Sequence, residues 1–117
     1  MKIFNVPIEP LEERYSTQWL TWFEREFRDL RVNWTTVRGQ TLTDKIETGA
    51  FLDVYGTNYY KARQMMNLVR MCRDHVIQDT DWIFFHDLWF PGIEMLAYIR
   101  DGAGRKFKIA GCLHAGT

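Results

Sequence analysis

The chain has 117 residues, enough for one hydrophobic core and too few for a second domain. Fifteen Lys and Arg balance fifteen Asp and Glu, so no global field favours nucleic acid, a membrane surface or an acidic substrate. An apolar share of 46 % with 15 % aromatics excludes a disordered chain, and no run approaches the roughly eighteen apolar residues of a membrane helix.

Lys2 to Ile8 reads as a first strand, ended by Pro7, Glu9 and Pro10, which cannot continue a central ladder. The start Met1-Lys2-Ile3-Phe4 lacks a long apolar leader, so a cytoplasmic, reduced protein is expected, with Cys72 and Cys112 as buried thiols. Tyr15, Trp19, Trp22, Phe23, Phe27 and Leu30 then recur at helical steps, with Glu24, Arg25, Arg28 and Asp29 opposite. This predicts an amphipathic helix capped by Ser16 or Thr17, its aromatic stripe serving as core or partner surface. Arg31 to Arg38 alternates, is rich in Val, Thr and Trp, and closes at Gly39, so it predicts a second strand and a βαβ unit. Gln40 to Asp53 has weak periodicity and predicts a long excursion between elements.

Thr57 or Asn58 is the expected N-cap of a second helix that buries Ala62, Met65, Met66, Val69, Cys72, Val76 and Ile77. Lys61, Arg63, Arg70 and Arg73 lie among its more exposed positions; with Asp74 nearby they read as a solvated face, and a nucleic-acid footprint would call for a basic patch on a basic domain. Trp82-Ile83-Phe84-Phe85 is a β-rich apolar run that suits a strand buried on both faces of a parallel sheet. His86 and Asp87 interrupt it, and Pro91 suits the first turn of a third helix running to Arg100. Asp101-Gly102-Ala103-Gly104 ends that helix with glycine in the left-handed region, and Phe107 to Leu113 predicts a fourth strand. The fold class is therefore α/β, a single Rossmann-like three-layer sandwich over residues 1–117 with a mostly parallel four-stranded sheet.

With parallel strands, Glu9, His86 with Asp87, and His114 all fall beyond carboxyl ends on one rim, where such folds bind ligands. Two imidazoles and two carboxylates there can move protons near neutral pH. The plainer alternative is that His86 and Asp87 cap the third helix and hydrogen-bond to each other. No metal site is expected, because no His or Cys pair has ligand spacing. No cofactor is expected either, since neither G-x-G-x-x-G nor G-x-x-x-x-G-K-[ST] occurs, and no G-x-S-x-G elbow marks a nucleophile.

Phe85-His86-Asp87-Leu88-Trp89-Phe90-Pro91-Gly92 and Leu113-His114-Ala115-Gly116-Thr117, with the opening Lys2-Ile3-Phe4-Asn5-Val6-Pro7-Ile8 and Tyr55-Gly56-Thr57, resemble the N-terminal half of a GT-B type glycosyltransferase, particularly the phage-encoded kind. The resemblance spans nearly the whole chain. It implies an acceptor-side domain with a base among Asp87, His86 and His114, and acceptor contacts at Glu9, Tyr55, Trp89 and Thr117. It further implies sugar transfer from a nucleotide sugar only in company with a donor-binding C-terminal half, which these residues do not contain. Alone, the chain is expected to be inactive and to pair through its open sheet edges as a homodimer. Asp87 to Glu94 also resembles the phosphoacceptor segment of a response-regulator receiver, although the loop after the first strand offers Glu9, Glu12 and Glu13 where that family has adjacent aspartates.

Overall fold

The structure, a computed structural model, describes residues 1–9, 15–42 and 54–113, the first three of the second stretch by backbone only. Strands and helices alternate as β1 (Lys2–Val6), α1 (Tyr15–Asp29), β2 (Asn33–Thr36), α2 (Val54–Arg73), β3 (Trp82–Phe85), α3 (Ile93–Gly102) and β4 (Lys108–Gly111). The sheet is parallel throughout, in the order β2-β1-β3-β4. Because β2 and β3 flank β1 on opposite sides, right-handed crossovers send α1 to one face and α2 and α3 to the other. The result is the three-layer Rossmann-like sandwich that the alternating pattern predicts.

Register decides which residues fill each layer. Phe4 pairs with Ile83 and Val6 with Phe85, so these four point together and bury completely against Met65, Leu68 and Cys72 of α2 and Leu96 of α3. The alternate residues Ile3, Asn5, Trp34 and Phe84 face α1. There the packing is aromatic: Phe23 meets Phe84 edge-on at 5.0 Å between centroids, and Phe27 lies 6.2 Å from Trp34. The aromatic stripe of α1 is thus a packing face, while Trp22 and Leu30 remain exposed.

Polar side chains tie the layers at their ends. The buried Gln64 amide of α2 donates to Pro7 O at 2.8 Å and to Val37 O at 3.0 Å, holding the carboxyl ends of β1 and β2 together. At the amino end, the Asp81 carboxylate accepts from Lys2 N–H at 2.9 Å and Gln78 N–H at 2.8 Å, and its carbonyl accepts from Lys108 N–H. The Arg105 guanidinium bonds the carbonyls of Cys72 and Ile77 and pairs with Asp79 at 2.7 Å. That hydrogen bond, above all, holds the exposed Asp79 carboxyl below its ordinary range. Burial pushes the Cys72 thiol up, against a smaller opposing effect of Arg105.

All three helices stop in the same way. The sixth residue's N–H returns to the first one's carbonyl, from Val32 to Phe27 at 2.9 Å, Val76 to Met71 at 2.9 Å and Arg105 to Arg100 at 2.8 Å. The left-handed residue is Gly104 (φ 67°) after α3, as its sequence predicts, but Arg31 (φ 56°) after α1 and His75 (φ 56°) after α2. Four other expectations need correction. Of the residues expected on the buried face of the second helix, Ala62, Met66 and Val76 are exposed, and Val76 and Ile77 lie beyond its end at Arg73. α1 already includes Ser16 and Thr17, and α2 begins at Val54, so Thr57 and Asn58 lie within its first turns and do not cap it. Cys72 and Cys112 are both free, but only Cys72 is buried; Cys112 follows β4 and is partly exposed. α3 begins at Ile93, two residues beyond Pro91, with Gly92 as its cap. Among the described residues, no helix is long and apolar enough to cross a membrane.

Candidate functional site at the β1/β3 switch point

β1 and β3 lie side by side, yet their following helices pack on opposite faces of the sheet. The chain therefore parts at their carboxyl ends, which is where an open α/β sheet leaves a crevice. His86 N–H donates to Val6 O at 3.0 Å, which carries the ladder one residue past β3. Strand alternation then turns the His86 side chain toward α1, on the same face as Phe84 and Asn5.

His86 is fully buried in that position. Its Nε2 lies 2.7 Å from Asn5 Oδ1, and the rings of Phe23 and Phe84 sit at 4.7 and 5.8 Å. With the amide oxygen toward the ring, Nε2 carries the proton and donates; the amide orientation fixes this assignment. The Asn5 Nδ2 group is then a buried donor with no hydrogen-bond partner among the described residues. Such a group costs free energy unless a water or ligand oxygen meets it.

Asp87 behaves differently. It is partly exposed, and its Oδ1 accepts the Trp89 N–H at 3.0 Å, a local turn that sets the direction of the loop into α3. Leu88 N–H bonds Cys112 O at 2.8 Å and fastens the same loop to the end of β4. Neither His86 nor Asp87 caps α3, whose cap residue Gly92 makes no side-chain bond. The two side chains also bond other partners: His86 binds Asn5, and Asp87 binds backbone. Close packing defines the loop further, since a Cβ on Gly92 would meet Phe90 and Met65 at under 3 Å.

The rest of the rim is distributed. Glu9, beyond β1, is 5 % exposed and lies close enough to Tyr60 of α2 to add to the rise of its phenol pKa. Burial is the main cause of that rise, opposed by a backbone hydrogen bond from Gly39 and by the Arg38 charge. Trp89 is 62 % exposed on the β3–α3 loop, whose position is also held by Lys61 Nζ donating to Trp89 O at 2.9 Å. Tyr55, in the first turn of α2, is 83 % exposed. His114 and Thr117 lie outside the described residues. Among the described residues, no three His, Cys, Asp or Glu side chains gather to hold a metal ion.

Two residues of this region have no place in the sequence-level candidates. Asn5 is a buried polar residue within β1, and Gln64 is a polar residue on the buried stripe of α2. A polar side chain at a core position was the available signal in both cases. Comparison of the chain with family models, curated proteins and solved structures finds no match.

Proposed function

We propose that the β1/β3 switch point is a ligand site and that the domain is the acceptor-side half of a GT-B type sugar transferase. The observation that carries this reading is the division of labour between His86 and Asp87. One is a buried imidazole fixed by Asn5, and the other an accessible carboxylate fixed by its own turn, both at the end of the central strand. In this reading Asp87 is the base: as an acceptor hydroxyl attacks the sugar's anomeric carbon, its proton passes to the carboxylate and the nucleotide departs with the bonding pair. His86, too deeply buried to take that role, positions the strand end. Trp89, exposed on the loop beside Asp87, supplies an apolar contact to the acceptor, and the buried Glu9 shapes the rim beside it. The nucleotide sugar is bound elsewhere, on a donor-binding half.

Amide-resolved NMR titration tests the acceptor assignment with a panel of mono- and disaccharides at tens of millimolar, followed by UDP- and GDP-sugars. Saccharides should shift the amides of Ile8, Glu9 and His86 to Trp89 and spare those of α3's last turn. Absence of any shift, or micromolar nucleotide-sugar binding on this rim, overturns it. The receiver alternative draws on one observation, an acidic side chain directly after β3 in a parallel sheet of this order. Acetyl phosphate with Mg2+ discriminates: a phosphoryl mass increment that Asp87→Asn removes would favour the receiver.

A further inference from the structure

Between α2 and α3 lies an open groove of about 460 Å3, lined by Ala62, Met65, Met66, Val69, Met95 and two arginines. Three of its walls are methionine side chains, and Met66 and Met95 are 42 % and 53 % exposed. Flexible thioethers make adaptable binding surfaces, suited to an apolar stripe of varied shape. One bank of the groove is basic. Arg63, Met66, Arg70 and Arg73 succeed one another along α2 at three- and four-residue steps, which places the three arginines on one ridge with Met66 among them. Arg70 and Arg73 line it directly. Arg73 is paired only with the neighbouring Asp74, in the open, whereas Arg63 and Arg70 have no ion-pair partner among the described residues.

We propose that this groove docks an amphipathic helix of another protein, apolar on the side that meets the methionines and acidic along the edge that meets the arginine ridge. Two features favour a helix over nucleic acid. The floor is aliphatic and thioether-lined, with none of the aromatic platforms on which bases stack, and the chain as a whole carries no net charge. A helix presenting residues at i, i+3, i+4 and i+7 fits a groove bounded by two helices. The site lies apart from the β1/β3 rim and does not depend on the function proposed there.

The test uses a fluorescein-labelled synthetic helical peptide with Leu at those spacings and Glu along one flank, with a Lys-flanked version as control. Anisotropy should show the acidic peptide binding at least tenfold tighter than the basic one, with the difference shrinking at high salt. Met66→Glu and Met95→Glu, both at exposed positions, should each weaken binding at least tenfold, and Arg70→Glu should remove most of the salt dependence. Equal affinity for the two peptides, or no effect of the methionine variants, overturns the proposal. So does self-association that Met66→Glu abolishes, which would assign the groove to a second copy. Oligonucleotide binding lost in Arg70→Glu but kept in Met66→Glu would assign the ridge to nucleic acid.

Discussion

Replacing Gln64 by Met asks how much of the fold depends on one buried amide. Gln64 is fully buried, and its two N–H bonds, at 2.8 and 3.0 Å, reach carbonyls on different strands. Met is close in volume and adds no strain, so the cost is chiefly polar. Two hydrogen bonds contribute about 1 kcal/mol each, and each carbonyl stranded in a dry site adds about 1–3 kcal/mol. Against this, Met removes the Gln64 Oε1 atom, itself a buried acceptor with no partner among the described residues, and gains roughly 1 kcal/mol from apolar burial. The net expectation is a loss of about 3 kcal/mol, a large share of the roughly 5–15 kcal/mol that holds a domain of this size. Urea unfolding followed by circular dichroism would measure it as a lower midpoint at unchanged slope. Gln64→Glu sharpens the reasoning, because an ionised carboxylate would face two carbonyl oxygens. Its folded-state pKa must lie above the unfolded value, so the variant should be worst at neutral pH and recover as pH falls below the folded pKa. A Gln64→Met loss under about 1 kcal/mol, or a Gln64→Glu variant indifferent to pH, would show that the carboxyl ends are held by something other than this amide.

Other expectations follow from the same geometry. Arg31→Gly and His75→Gly should each stabilise the protein by about 0.5–1 kcal/mol in thermal or urea melts, because glycine adopts the left-handed conformation without the cost L side chains bear. Gly111→Ala should destabilise by about 1–3 kcal/mol, since a Cβ there would lie 2.6 Å from Leu88 Cδ2 and 2.7 Å from Phe85 O, and a backbone atom cannot swing aside. Arg105→Ala should lower stability by about 2–4 kcal/mol through the stranded carbonyls of Cys72 and Ile77, as read by urea unfolding. The same variant should flatten stability at acid pH. The Asp79 contribution is present above its unfolded pKa and fades as pH falls through the depressed folded value, and without Arg105 only the smaller part owed to Lys106 is left.

The sequence carries the architecture because hydrophobic period and strand composition are local signals. Trp82 to Phe85 could be placed to the residue, and the glycine at 104 announced the end of α3. Arg31 and His75 gave no such warning. They hold the left-handed position because the two returning backbone bonds outweigh the local cost, a balance that residue type does not display. The start of α2 is hidden for a related reason: Thr57 has the residue type of a cap, yet the helix begins at Val54. At the candidate site, His86 and Asp87 stood out as polar interruptions of an apolar run. Their separate fates could not be read, because Asn5 is 81 residues from His86 and only the parallel register of β1 against β3 brings them together.

The two polar ties at opposite ends of the sheet have a consequence for how such a domain can diverge. Asp81 gathers the starts of β1, β3 and β4, and Gln64 gathers the finishes of β1 and β2, so strand register is set from within the framework. The connections that follow β1 and β2 are thereby relieved of aligning the strands. They can accept insertions or be exchanged wholesale, and the domain can acquire new specificity at its rim while its scaffold stays in step.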